Sequence, residues 1–99
     1  MEKLESAMPF LEQEPRPFTR QGIEHISPGQ KGVYALYNTE ACVYVGKADD
    51  IRHRLLEHLT KRDNACILRE RPIHFIADGS ADPDTRLKQL VAELKPLCT

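Results

Sequence analysis

The sequence predicts a small α/β domain with a three-stranded, antiparallel-based sheet and the element order β-β-α-β-α. Two neighbouring runs, Gly32–Tyr37 and Ala41–Gly46, are rich in β-branched and aromatic residues and predict a hairpin. Two later segments carry apolar residues three and four positions apart, which is the period of an amphipathic helix. At 99 residues the chain has room for one domain with one modest core.

Composition and charge exclude several classes of protein. Apolar residues make up 40% of the chain, and their longest runs are far shorter than a membrane span, so we expect no membrane segment. The first ten residues do not form a secretory signal. The formal net charge is −1, which argues against strong sequence-independent binding to nucleic acid. The stretch 47–71 is mildly basic, with seven Lys or Arg residues against five Asp or Glu residues.

The cysteines indicate which cellular compartment to expect. The chain has three of them, Cys42, Cys66 and Cys98. Their number is odd, and their spacing matches neither a Cys-x-x-Cys pair nor a zinc finger. We therefore expect neither a disulfide scaffold nor a structural zinc site. The expected location is a cytoplasm that keeps thiols reduced.

The elements follow in order along the chain. Residues 1–20 are expected to form an N-terminal arm or partly disordered leader, in which Glu2–Ala7 could form a short helical turn and Pro15 and Pro17 favour extended backbone. Residues 21–99 are expected to form the single domain. Ser27–Gln30 predicts a turn, and Asn38–Glu40 predicts the loop of the hairpin.

The first predicted helix begins after Asp49 or Asp50, either of which suits an N-cap, and ends near Lys61. Pro72–Asp78 predicts the third strand, and Cys66–Leu68 is left unassigned. The apolar stripe of the helix consists of Ile51, Leu55, Leu56 and Leu59.

The last predicted helix has Asp82 as its cap and Pro83 in its first turn, and Pro96 ends it. Its apolar positions follow the spacing i, i+3, i+4, i+7, which gives one apolar face. They are Leu87, Leu90, Val91 and Leu94.

One ordered set of motifs points to a function. The chain reads GVY at Gly32–Tyr34 and YVGK at Tyr44–Lys47, and a helix with Arg54 and His58 one turn apart follows. This order resembles the GIY-YIG nuclease domain family over Gly32–Pro96. Lys47 directly after Gly46 is similar to the form found in the nuclease half of the bacterial excision-repair incision subunit.

The resemblance implies a nuclease, or a nuclease-derived domain, that acts on DNA phosphodiester bonds with Mg²⁺ or Mn²⁺. It implies that Tyr34 lies near the attacking water, that Tyr44 shapes the pocket, and that Arg54 binds the phosphate. His58 is expected to assist. Arginine suits this role because its charged fork matches the phosphate oxygens.

Three further residues are expected to help bind substrate: Gly46, Lys47 and Arg52. The expected partner is DNA. A near-neutral module of this size has little surface for nucleic acid, so a protein partner or a homodimer is expected to extend it. No metal ligand is assigned.

The hairpin sets a geometric condition for the two tyrosines. Opposite residues of a hairpin share a face of the sheet. A three-residue loop, Asn38–Glu40, would pair Tyr34 with Tyr44, whereas a four-residue loop without a bulge would place them on opposite faces. We predict the odd-length loop, or a bulge that restores the shared face.

The resemblance fails at two positions near the end of the chain. Alignment on Pro96 places Leu87 where the family has its metal-binding Glu, and Thr99 where it has an Asn. A leucine offers no oxygen to a metal. Asp84, one turn before Leu87, is the first candidate for a replacement carboxylate. The other carboxylates considered are Asp78 and Glu93.

Two other functions therefore stay open. The domain could be a catalytically inactive module that binds nucleic acid or a protein, which Leu87 and the acidic balance favour. It could also be an interaction domain whose tyrosines are structural. A carboxylate directed at Tyr34, Tyr44 and Arg54 would favour the nuclease, and a dispersed set would favour the interaction domain.

Overall fold

The computed structural model describes residues 13–61 and 64–98, which form a four-stranded antiparallel sheet with helices against it. The sheet order is β1-β4-β2-β3. The α/β class and the order of the predicted elements are confirmed, with four strands in place of three. The elements are β1 Arg16–Pro17, α1 Arg20–Ile23, β2 Gly32–Tyr37, β3 Cys42–Ala48, α2 Ile51–Lys61, α3 Ala65–Glu70, β4 His74–Gly79 and α4 Pro83–Leu94.

The additional strand, β1, lies within the segment expected to be an arm. Arg16 and Pro17 pair with Phe75 and His74 of β4 at the edge of the sheet. A proline is tolerated there because an edge strand does not need every N–H in the ladder. The helical turn expected at Glu2–Ala7 lies outside the described residues.

The hairpin of β2 and β3 contains a β-bulge. Its loop has four residues, because Tyr37 pairs with Cys42. Leu36 then pairs with Tyr44, so Val43 is the extra residue on β3. The bulge shifts the alternation of β3 by one position, which sets the direction of every later side chain on that strand.

The helix boundaries follow the predicted caps. Asp50 accepts a hydrogen bond from the His53 backbone N–H at 3.1 Å at the start of α2. Asp82 accepts one from the Thr85 N–H at 3.4 Å at the start of α4, where Pro83 is the first residue. Both helices therefore begin where side-chain oxygens satisfy backbone donors.

The stretch left unassigned in the sequence forms a short helix, α3. Asn64 caps it by accepting from the Ile67 N–H at 3.1 Å, and Arg71 ends it in the left-handed region with φ 52°. β4 begins at His74 rather than at the predicted Pro72. One turn of helix with a single buried residue, Ile67, gives too short an apolar period to detect by spacing.

Apolar side chains pack on both faces of the sheet. The face that carries Tyr34 packs against α1, α2 and α3, and the other face packs against α4. Buried members of the first cluster include Ile23, Tyr34, Leu36, Val43, Ile51, Leu55, Ile67 and Phe75. Those of the second are Val33, Ala35, Cys42, Val45, Ile76 and Leu90. The predicted stripes of α2 and α4 thus face opposite sides of one sheet.

A disulfide between Cys66 and Cys98 contradicts the expectation drawn from the cysteine count. The two Cα atoms lie 5.8 Å apart although 32 positions separate the residues in sequence. The fold brings them together because the Cys98 backbone N–H donates to the Val43 carbonyl at 2.8 Å and Cys98 pairs with Tyr44. The spacing of the two cysteines along the chain does not indicate this contact.

Cys42 is the free cysteine, and burial raises the pKa of its thiol to about 11. The disulfide removes the reason for expecting a reducing compartment, so the cytoplasmic location stays a prediction. Across residues 13–61 and 64–98, every helix is too short or too polar to cross a membrane.

Candidate active site

Tyr34 on β2 and His58 on α2 form the centre of the site. The Tyr34 hydroxyl and the His58 Nε2 atom lie 2.8 Å apart in a buried hydrogen bond. Tyr34 is 1% exposed and His58 is 7% exposed. Ile51 and Leu55 bury the same side of α2, which holds His58 one turn later against the sheet.

Tyr44 joins this pair on the same face of the sheet. Its ring centroid lies 6.2 Å from that of Tyr34 and 5.5 Å from that of His58. Tyr34 pairs with Gly46, two positions beyond Tyr44, and the bulge at Val43 gives Tyr44 this orientation. The predicted condition is confirmed through the bulge. Tyr44 is partly exposed, whereas Tyr34 is enclosed.

Packing explains why position 46 is a glycine, and the sequence alone did not indicate this. It lies opposite Tyr34, and a Cβ atom at this position would lie 2.5 Å from the Tyr34 hydroxyl oxygen and 2.6 Å from its Cζ atom. Only a residue without a side chain leaves room for the Tyr34 ring. Gly46 thus gives space to a tyrosine, and its expected contact with substrate stays a prediction.

Arg54 lies one turn before His58 on α2 and interacts with Tyr34. Its Nη1 atom lies 3.2 Å from the Glu57 carboxylate. The same carboxylate lies 3.3 Å from the Lys61 Nζ atom and 3.4 Å from the His53 Nε2 atom. The Lys61 hydrogen bond, aided by Arg54 and His53, lowers the pKa of Glu57.

Sequence reasoning missed Glu57. The signal was present in its spacing from Arg54 at i+3 and from His53 and Lys61 at i+4, positions that meet on a helix surface. Arg54 is half-exposed, with 40% of its side chain accessible, so its guanidinium reaches solvent beside the tyrosines.

The electrostatics of Tyr34 favour its protonated form. Burial is the main cause that raises the pKa of Tyr34 well above its ordinary value, and Tyr44 and Glu57 add to it. Arg54 acts in the opposite direction but does not offset the burial. At neutral pH the Tyr34 hydroxyl is therefore protonated, and it shares its hydrogen bond with the His58 Nε2 atom as a neutral tyrosine.

Lys47 and Arg52 lie away from this cluster. Lys47 pairs with Val33, so it shares the α4 face of the sheet, and it forms an ion pair with Asp84. Arg52 lies about 200° around α2 from Arg54 at 100° per residue. The structure brings together Tyr34, Tyr44, His58 and Arg54, and it separates Lys47 and Arg52 from them.

The carboxylates considered as metal ligands lie elsewhere. Leu87 packs with the cluster of Val33 and Val45 on the α4 face. Asp84 is engaged by Lys47, and Asp78 lies 3.8 Å from the Arg86 Nε atom. Glu93 is exposed on α4.

Among the described residues, the donors around the tyrosines do not suit a divalent metal. Within the described ranges, no three or more His, Cys, Asp or Glu side chains are grouped so as to hold a metal ion. The carboxylate next to Arg54 belongs to Glu57, and three basic side chains already engage it. Mg²⁺ takes oxygen ligands, usually one or two carboxylates, so these donors do not fit it.

A hairpin with a tyrosine on each strand, followed by a helix that supplies Arg and His to the same face, defines a GIY-YIG-type catalytic domain. Residues 30–90 match the GIY-YIG catalytic domain family, and the chain belongs to that family. Comparison with curated protein sequences gives no match.

Solved structures with the same fold include the GIY-YIG N-terminal endonuclease domain of UvrC from Thermotoga maritima. Its magnesium-bound form is 22% identical, with a TM-score of 0.57, and the match covers 76% of this chain and 92% of that one. A tyrosine-to-phenylalanine mutant bound to the catalytic divalent cation is 21% identical, with a TM-score of 0.57 and coverage of 76% and 91%. At this identity the similarity establishes the fold.

Proposed function

We propose that this domain acts on DNA phosphodiester bonds, with Tyr34, Tyr44, Arg54 and His58 as its active site. The observation that carries the proposal is the hydrogen-bonded Tyr34–His58 pair, with the Tyr44 ring against it and Arg54 one turn away on α2. Family membership over residues 30–90 supports the same class of activity.

The exposure of the side chains supports the role proposed for each. Arg54 and Tyr44 reach solvent, so Arg54 binds the non-bridging phosphate oxygens and Tyr44 meets the attacking water. This exchanges the roles expected for the two tyrosines, because Tyr34 is 1% exposed. The buried Tyr34–His58 pair holds the Tyr44 ring in place from behind.

The chemistry needs charge neutralisation at the phosphate and a path for the proton of the water. Arg54 supplies a fixed positive charge to the phosphate as its negative charge increases in the transition state. Histidine is the side chain that most often accepts a proton in catalysis, and the Tyr34 hydroxyl is hydrogen-bonded to the His58 Nε2 atom. The expected Mg²⁺ or Mn²⁺ is a property of the family resemblance, and the donors around Tyr34 do not by themselves fit it.

The test is cleavage of labelled duplex, single-stranded and branched DNA in Mg²⁺, in Mn²⁺ and in EDTA. Arg54→Ala is compared with Arg86→Ala, which also removes an arginine paired with a carboxylate but lies on the other face of the sheet. We expect Arg54→Ala to reduce cleavage by about 10²–10³-fold and Arg86→Ala to retain it.

A second candidate is a nuclease-derived module that binds DNA without cutting it. The engagement of Glu57 by three basic side chains favours it, because the carboxylate beside the phosphate site is not available to a metal. DNA binding that depends on Arg54 without cleavage in any buffer would establish this module. Absence of both cleavage and Arg54-dependent binding would overturn the proposed function.

A further inference from the structure

A cavity of about 250 Å³ is lined in part by His58 and by neither Tyr34 nor Tyr44. Helices α2 and α3 and the connection from α3 to β4 form its walls. Its lining consists of Phe18, Leu59, Ile67, Leu68 and Pro72, together with His58 and Arg71. Pockets for drug-sized ligands have volumes of about 300–1,000 Å³, so this smaller cavity suits a smaller group such as one nucleobase.

His58 joins the cavity to the proposed phosphate site. Its Nε2 atom is hydrogen-bonded to the Tyr34 hydroxyl, and its side chain also lines the cavity. Arg54 lies one turn earlier on the same helix. Four residues of α-helix rise about 6 Å, so a strand with one phosphate at Arg54 would have its neighbouring nucleotide near the cavity wall at His58.

The chemistry of the walls matches an unstacked base with a phosphate beside it. The phenyl ring of Phe18 and the aliphatic side chains of Leu59, Ile67 and Leu68 offer apolar surface to the faces of a base, which every base can use. Arg71 is the cation among the lining residues, and no lining residue is acidic. Arg71 is exposed, so it can meet a phosphate at the mouth.

We propose that this cavity binds the base next to the phosphate held at Arg54, and that the domain therefore prefers DNA whose bases are unpaired. The proposal rests on the proposed function and adds the class of substrate to it. A paired base inside a duplex cannot enter a cavity behind the phosphate site without leaving its stack.

The test compares two oligonucleotides of five nucleotides, one of thymidines and one in which every nucleotide is abasic. Both carry the same phosphates, so a difference in affinity measures the bases alone. We expect the abasic strand to bind at least about tenfold more weakly in fluorescence anisotropy. NMR is expected to show contacts from thymine methyl groups to the methyl groups of Leu59 and Ile67.

Two glycine variants form a matched pair. Arg71 and Lys95 both end a helix with positive φ, 52° and 47°, so glycine suits both backbones and each change removes one cation. Arg71→Gly is expected to weaken binding of both strands and to reduce the salt slope by about one, whereas Lys95→Gly leaves both unchanged.

The failures can be told apart. If the two strands bind equally and binding depends on Arg54, the cavity proposal is wrong and the proposed function stands. If neither strand binds while duplex or branched DNA is bound or cut through Arg54, the cavity proposal is wrong and the proposed function stands. If no DNA is bound or cut, both are overturned. Equal effects of Arg71→Gly and Lys95→Gly would also refute a phosphate contact at the mouth of the cavity.

Discussion

Replacing Gly46 by alanine tests the packing around Tyr34. The added methyl carbon would lie 2.6 Å from the Tyr34 Cζ atom and 2.9 Å from the Tyr44 Cε2 atom. Carbon atoms in contact lie about 3.5–4.0 Å apart, so the Tyr34 ring must retreat by about 1 Å. Burial and the bond to His58 hold that ring, so the strain cannot be relieved at an exposed side-chain end.

We expect Gly46→Ala to reduce the free energy of unfolding by about 1–3 kcal/mol, the usual cost of overpacking. For a domain of this size that lowers the melting temperature by roughly 4–8 °C per kcal/mol. Urea unfolding followed by circular dichroism measures the change. We also expect a loss of activity beyond that explained by unfolding, because the displaced Tyr34 hydroxyl no longer contacts His58.

The control is Gly79→Ala, the same change on β4. There the nearest atom to the added carbon is the amide end of the exposed Gln30 side chain, which can move away. We expect less than about 0.5 kcal/mol, as for other surface substitutions. Equal stability of the two variants, with an unchanged Tyr34–His58 contact, would refute the reasoning.

Three further perturbations test the buried residues on the two faces of the sheet. Tyr34→Phe deletes the 2.8 Å bond to His58 and should cost about 1–3 kcal/mol in urea unfolding; a stability equal to wild type would show that the buried bond contributes nothing. Cys98→Ser opens a cross-link to Cys66 spanning 32 positions, for which chain entropy gives a loss of about 4 kcal/mol, and the melting temperature of the variant should no longer respond to reductant. The Cys42 thiol has its pKa raised by burial from 9.0 to about 11, so the unfolded thiol ionises first and stability should fall between about pH 9 and pH 11. Cys42→Ala should show a smaller decline that begins near pH 10, where the raised pKa of the buried Tyr34 also lowers stability. Native Cys42 that alkylates at its unfolded rate near pH 8 would contradict its burial.

Much of the fold could be predicted because its signals are local. Asp50 and Asp82 cap the helices that they were expected to cap. The apolar stripe that includes Leu55 and the one that includes Leu90 face the sheet as their spacing requires. β1 could not be predicted, since two residues with a proline carry no alternation, and they form a strand only because β4 offers an edge.

The site was predictable as a set of residues but not as an arrangement. Tyr34, Tyr44, Arg54 and His58 were expected together, and the structure brings them together. Which tyrosine is enclosed depends on packing between α2 and the sheet, and sequence spacing does not report that. The disulfide between Cys66 and Cys98 was missed for the same reason, because 32 positions separate the two cysteines in sequence.

The bulge at Val43 shows how one extra residue decides whether this hairpin can form a site. With a four-residue loop and regular alternation, Tyr44 would lie on the same face of the sheet as Cys42, which is the face opposite to Tyr34. The extra residue turns Tyr44 and Gly46 to the Tyr34 face together. The tyrosine gains a place beside His58, and the glycine gives the Tyr34 ring its space. Deletion of Val43 removes the unpaired residue and leaves Tyr44 opposite Leu36 and Gly46 opposite Tyr34, so both tyrosine rings should stay on one face of the sheet. Persistence of the aromatic contacts between Tyr44 and His58 in NMR would confirm this register, and their loss would refute it.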